Sequence, residues 1–240
     1  MALLTATNLV KSFKGRKVVN GITLSVEDHS IVGLLGPNGA GKTTTFYMIA
    51  GMIAPDYGEI QLNGEDITDL PMYKRALKGV VYLPQEHSVF RKLTVAQNIE
   101  LVLEARGLDK REVKERTTTL LQEMGLSHLA DQKAAHLSGG ERRRLEVIRA
   151  LAVEPEFILL DEPFAGVDPL SIADLQDMVR NLKIRGIGIF ISDHNVRETL
   201  TVCDRAYIVN TGNIVVEGTP EEILKSSIAR KVYLGEDFSL

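Results

Sequence analysis

The stretch Ile31-Val-Gly-Leu-Leu-Gly36-Pro37-Asn38-Gly39-Ala40-Gly41-Lys42-Thr43-Thr44 decides the reading of this chain. An apolar run of strand length leads into a glycine-rich loop, and a helical run follows. The pattern is G-x-x-x-x-G-K-[ST] in the strand–loop–helix setting that gives it meaning. Glycines let the backbone curl so that successive N–H groups point inward at phosphate oxygens. The following helix aims its positive end at the same place. Lys42 adds a point charge toward β- and γ-phosphates, and the Thr43 hydroxyl is a ligand for Mg²⁺. Residues Gly36, Pro37, Asn38, Gly39, Ala40, Gly41, Lys42, Thr43 and Thr44 are therefore expected to cradle a nucleotide.

Outward from this cradle, short β-rich runs alternate with helical patterns. Strands are expected at 3–10, 18–26, 31–35, 59–62 and 80–83, with a helix at 42–50. Asn20-Gly21 and Asn63-Gly64 read as hairpin-type turns. Helices follow at 98–106, 110–124 and 140–151. Then strand and helix alternate again: strands at 157–160, 188–192, 206–209 and 214–217, helices at 171–184, 195–201 and 221–225. Such alternation predicts an α/β fold with a mainly parallel sheet. The strand-rich start would form an antiparallel side sheet. The helical middle would be an inserted subdomain of about 86–154, within a core of about 1–85 and 155–240.

Composition narrows the function. The chain has 240 residues, 44% hydrophobic and 25% charged, which is ordinary for a globular protein. Its net charge of −4 argues against a sequence-blind nucleic-acid binder. The single cysteine, Cys203, excludes an internal disulfide framework and a cysteine-based zinc site. The start lacks the basic and apolar regions of a secretory signal. No apolar run approaches the ~18–20 residues of a membrane-spanning helix.

Two further motifs carry chemistry. Phe157-Ile-Leu-Leu-Asp161-Glu162-Pro163 is a buried strand ending in two carboxylates. Adjacent strand residues point to opposite sides, so Asp161 can face Mg²⁺ while Glu162 faces an attacking water as its base. Leu137-Ser138-Gly139-Gly140-Glu141-Arg142-Arg143-Arg144 opens a helix. Ser138 is a good N-cap, and the glycines bare the first-turn N–H groups. A second phosphate clamp in a chain with one cradle is accounted for if two chains meet head to tail, each clamp closing on the partner's nucleotide. The arginines at 142–144 read as a solvated helix face.

These motifs, with Gln85 after a strand and His194 after another, stand in the order that resembles the ATP-binding-cassette ATPases, over essentially the whole chain. The resemblance implies a P-loop NTPase of RecA-like core that hydrolyses ATP with Mg²⁺. It implies that Ser138, Gly139, Gly140 and Glu141 form the signature that acts in trans, with Glu141 where glutamine is usual. Glu162, His194 and Gln85 become the catalytic set, and Thr43, Gln85 and Asp161 the metal set. Phe13 falls where the family stacks a ring on adenine; an ordinary core aromatic is the other reading. Asp168 resembles the loop that reaches the partner's cradle.

A narrower resemblance is to the ATPases of lipopolysaccharide-export transporters, carried by Gly36 to Met48, Leu83-Pro-Gln-Glu, Leu160 to Pro169, Asp193-His-Asn-Val-Arg-Glu-Thr-Leu and the tail Val232-Tyr-Leu-Gly-Glu-Asp-Phe. It implies a homodimer on the cytoplasmic face of the inner membrane, held by two integral permease subunits. It implies a permease-docking groove beside 86–93, with Phe90 as apolar anchor and Arg91 at the rim. A core residue of the inserted subdomain is the other reading of Phe90. Branched-chain amino-acid importers share the cradle region. A soluble cassette ATPase of repair or translation would usually carry two cassettes or a long coiled-coil insertion. No guanine-reading Asn-Lys-x-Asp is present, and direct nucleic-acid binding is not expected.

Overall fold

The computed structural model describes residues 1–235 and 238. In chain order, the first elements are β1 (Leu3–Phe13), β2 (Arg16–Glu27), β3 (Ile31–Leu35), α1 (Lys42–Ala50), β4 (Tyr57–Leu62), β5 (Glu65–Asp66), α2 (Met72–Leu77) and β6 (Val80–Leu83). Three longer helices follow: α3 (Val95–Ala105), α4 (Lys110–Glu123) and α5 (Gly139–Leu151). The remainder is β7 (Phe157–Asp161), α6 (Pro169–Ile184), β8 (Gly188–Ser192), α7 (Val196–Leu200), β9 (Arg205–Asn210), β10 (Asn213–Gly218), α8 (Pro220–Lys225) and α9 (Ser227–Ala229). A π-helical turn, Arg230–Leu234, comes last. The chain divides into two compact units, 1–85 with 156–240, and 86–155.

The first unit holds two sheets. One is antiparallel, in the order β2-β1-β4-β5. The other runs β10-β9-β3-β8-β7-β6, parallel throughout except for the β10 edge. Strands β3, β7 and β8 are buried at every residue, as expected of parallel strands covered on both faces. One core cluster draws Leu4, Leu9 and Ile60 from the first sheet, Phe46 and Met48 from α1, and Phe157 and Phe190 from the second. Phe46 stacks on Phe190 at 5.1 Å between ring centroids. Burying a side chain of that size stabilises the fold by about 1.5–3 kcal/mol.

Arg75 fixes the far end of α1. It is 1% exposed and donates to the carbonyls of Met48, Ile49, Thr68 and Leu70. A buried guanidinium thus closes the last turn of α1, where the helix dipole is negative. Burial lowers the Arg75 pKa to about 10, and the nearby carboxylates of Asp66 and Asp69 oppose that shift.

The second unit is helical, with Val95, Ile99, Leu103, Val113, Leu121, Leu145 and Ile148 in its core. Helix α3 starts at Val95, three residues ahead of the expected start, behind Thr94, whose side chain forms a capping box with Gln97. The Asn63-Gly64 turn joins β4 to β5 with both residues at positive φ. Asn20-Gly21 is not a turn. It lies inside β2, where Val10 pairs with Asn20 and Leu9 with Ile22, leaving Gly21 as a bulge at φ 84°. The hairpin turns instead at Lys14-Gly15. Among the described residues, no helix is long and apolar enough to cross a membrane.

Candidate nucleotide site

The cradle connects β3 to α1. Gly36 has φ 149°, and a Cβ there would come within 2.1 Å of the Val209 carbonyl oxygen, so only glycine lets the loop leave β3 against β9. The loop curls round the Lys42 ammonium, which donates to the carbonyls of Gly36 (2.7 Å) and Pro37 (3.1 Å). Lys42 is 6% exposed. Its pKa is lowered by burial, against the carboxylates of Glu162 and Asp193, which raise it. Gly41 precedes the first turn of α1, and Ala40 and Gly41 are buried beneath the loop. Asn38, Gly39 and Thr43 are exposed on its open side, with Thr44 half-buried.

The two carboxylates at the end of β7 have opposite surroundings. Asp161 is 5% exposed and accepts from the Ser192 hydroxyl (2.8 Å) and the Tyr82 hydroxyl (3.0 Å). Burial raises its pKa, and those two hydrogen bonds hold it down. Tyr82 is pushed well above its usual range by burial and the carboxylate, which keeps its hydroxyl a donor. Glu162 turns away at φ 45°, with its backbone N–H on the Ser192 carbonyl oxygen (2.6 Å). Its Oε2 lies 3.4 Å from His194 Nδ1. A non-glycine residue at positive φ costs roughly 1–3 kcal/mol and marks a constrained position.

Asp193 is not among the expected site residues, yet it joins these parts. It is fully buried and accepts from the backbone N–H groups of Phe164 (2.9 Å) and Asn195 (2.8 Å). It ties the segment after Glu162 to the turn carrying His194. The Tyr233 hydroxyl donates to the His194 carbonyl oxygen (3.2 Å). Burial pushes the Tyr233 pKa up to about 12, while a hydrogen bond from the Gly36 backbone opposes the rise. Ser192, Tyr82 and Asp193 carry no spacing signal, because only tertiary pairing brings them to the site. Of the tail segment 233–238, Glu236 and Asp237 lie outside the described residues.

The other expected site residues are placed as follows. Phe13 ends β1, 47% exposed and therefore not a core aromatic, with Lys11 Nζ 5.9 Å from its ring centroid. Gln85 is exposed beyond β6. The Asp168 carboxylate accepts from the Ser171 N–H (3.1 Å) at the start of α6.

In the second unit, Ser138 caps α5 in a box with Glu141, whose Oε2 accepts from the Ser138 N–H and hydroxyl, each at 2.8 Å. Those bonds hold the Glu141 pKa below the usual carboxylate range. Gly139 and Gly140 are exposed, with nothing within 4 Å of where a Cβ would stand. The arginines at 142–144 are half-buried, not a solvated face: Arg142 donates to the Leu137 carbonyl and Arg143 pairs with buried Glu146. Phe90 is 44% exposed and is not a core residue, and Arg91 beside it is exposed.

A phosphate cradle at the end of a parallel sheet, with a polar carboxylate pair beside it, defines a P-loop ATPase. The ABC transporter family matches residues 19–165. The Lipopolysaccharide export system ATP-binding protein LptB of Haemophilus influenzae is 55% identical, and that of Escherichia coli strain K12 is 53% identical, each across 100% of both chains. The solved ADP conformation of MJ1267, an ATP-binding cassette of an ABC transporter, matches with a TM-score of 0.87 and 30% identity, over 98% of this chain and 100% of that one. The chain belongs to the ABC transporter family, as its nucleotide-binding ATPase.

Proposed function

We propose that this chain powers lipopolysaccharide export, as a homodimer docked beneath two integral permease subunits on the cytoplasmic face of the inner membrane. Support for the substrate comes from the full-length relatives of that name. The observation that carries the catalytic reading is the approach of His194 Nδ1 to Glu162 Oε2 at 3.4 Å beside the Lys42 cradle.

In this reading, the backbone N–H groups of Gly39 and Gly41 and of the first turn of α1 bind phosphate oxygens, and Lys42 exchanges its two carbonyl partners for the β- and γ-phosphates. Phe13 offers an exposed ring face to adenine. Glu162 takes the proton of the attacking water, and His194 and Gln85 orient that water. Thr43, Gln85 and Asp161 would hold Mg²⁺. The donors fit: all are hard oxygens, and two hydroxyls hold the Asp161 carboxylate in place. An ion that keeps waters and takes phosphate oxygens needs few protein ligands. Bound there, it would neutralise charge on the β- and γ-phosphates.

Ser138, Gly139, Gly140 and Glu141 serve the partner's nucleotide, and Asp168 reaches toward the partner's cradle. Gly139 and Gly140 leave the first turn of α5 bare, and nothing within 4 Å in this chain requires glycine there. That room for a group approaching from outside the chain supports this reading. Phe90 and Arg91 face the permeases.

The test is purification of the chain from native membranes. Two integral-membrane partners and a turnover raised by lipopolysaccharide are expected. Recovery without any integral-membrane partner would overturn the reading.

A further inference from the structure

One buried carboxylate takes no part in the chemistry above. Glu146, in α5, is 1% exposed. Its Oε1 accepts from the Ser88 N–H at 2.8 Å and lies 3.2 Å from His87 Nδ1, and its Oε2 accepts from Arg143 Nη1 at 3.2 Å. One turn along the same helix, Arg149 donates Nη1 to the Ser88 carbonyl oxygen at 2.6 Å. The Arg149 guanidinium also sits 4.6 Å from the centroid of the Phe90 ring. Both polar groups of Ser88's backbone are thus held by one face of α5. Asn98 of α3, fully buried, completes the seat: its Oδ1 accepts from the Phe90 N–H (2.8 Å) and its Nδ2 donates to the Phe90 carbonyl (3.1 Å).

The backbones of Ser88 and Phe90 are therefore held by side chains of α5 and α3, and the Phe90 carbonyl also accepts from the Leu93 N–H at 3.0 Å. A buried ion pair of this kind is weak evidence for stability, since apolar groups of the same shape do as well. What it supplies is a fixed arrangement. The arrangement joins two functional stretches: the loop that carries Phe90 and Arg91, and the helix that begins with Ser138, Gly139 and Gly140.

We propose that Glu146 and Arg149 are positioning residues that make the loop 87–90 and α5 a single mechanical element. A displacement of the loop by a membrane partner is then delivered to the N-terminus of α5. By reciprocity, nucleotide engaged at that N-terminus biases the loop. The proposal rests on the reading that this loop docks the permeases.

The experiment compares Glu146→Gln, Arg149→Met and the double variant, as isolated subunit and as the full transporter in vesicles containing lipopolysaccharide. In the isolated subunit, turnover stays within about twofold of wild type and the melting temperature falls by no more than about 2–8 °C, while the Ser88 and Phe90 amides exchange faster with deuterium. In the transporter, the ratio of complexed to isolated turnover falls about fivefold or more, and the double variant is no worse than either single one. A normal ratio in the variants beside a stimulated wild type overturns the proposal alone. So does a proportional fall of isolated turnover and melting temperature, which would make the contacts merely structural, or additive effects in the double variant. A wild-type subunit that no permease stimulates overturns the docking reading underneath.

Discussion

Asp161 and Glu162 are adjacent in the chain, and their different surroundings suit the different roles proposed for them. Asp161 is buried and capped by two hydroxyls, while Glu162 faces His194. Glu162→Gln keeps the shape and removes the base, so turnover should fall roughly 10²–10⁴-fold with ATP still bound. Near-normal steady-state hydrolysis in that variant would refute the base assignment. Ser192→Ala removes one of the donors that aim Asp161, and such supporting contacts are worth about tenfold or more in metal affinity. A Mg²⁺ titration of turnover should therefore shift by about that factor; an unmoved midpoint would remove Asp161 from the metal set. The carboxylates were legible in the sequence because a buried strand that ends in Asp-Glu has few other uses beside a phosphate cradle. Their supports were not, since Tyr82, Ser192 and Asp193 acquire roles only once β6, β7 and β8 lie side by side.

Elements were legible where burial or capping chemistry dominates. The fully buried strands β3, β7 and β8 read directly from their apolar runs. The pair Asn20-Gly21 misled because Asn-Gly favours positive φ in a turn and in a bulge alike; only the cross-strand register tells them apart. Helix α2 escaped notice because it is short and Pro71 gives it no side-chain cap. Its Arg75 nevertheless closes α1. Arg75→Met leaves four carbonyls without their donor, a cost of about 1–3 kcal/mol. That should lower the melting temperature by about 2–4 °C per kcal/mol; an unchanged melt would show the carbonyls find other partners. In the helical unit, Arg106 and Arg116 hold Glu154 at about 2 against the usual 4.5. A depressed folded pKa contributes stability that is complete above 4.5 and lost as pH falls toward 2. The carboxylate is half exposed, so the gain is at most about 1 kcal/mol. Glu154→Gln should melt slightly lower at neutral pH and lose less between pH 4.5 and 2; parallel acid limbs in the two proteins would contradict this.

At the scale of the molecule, the proposal that the cradle and the signature serve different nucleotides makes the chain half of a working unit. Two inactive versions should then repair each other. Lys42→Ala spoils the cradle and Ser138→Arg the signature, so neither homodimer has an intact site. A mixed dimer pairs the good cradle of one with the good signature of the other. Statistical mixing gives half mixed dimers with one live site each, about a quarter of wild-type turnover. A mixture that stays inactive would rule out sites shared between chains. The order of strands also has a bearing on how the protein is made. β3 carries the cradle, and both of its neighbours, β8 and β9, come from the last third of the chain. While the ribosome is still translating the helical unit, β3 has emerged with neither edge paired. Unpaired edges are sites of misassociation, and helical segments pair locally and fold sooner. A nascent chain stalled once α5 has cleared the ribosome should therefore hold a folded helical unit beside an open, adhesive cradle strand. The cradle strand gains both of its neighbours only once β9 has been made.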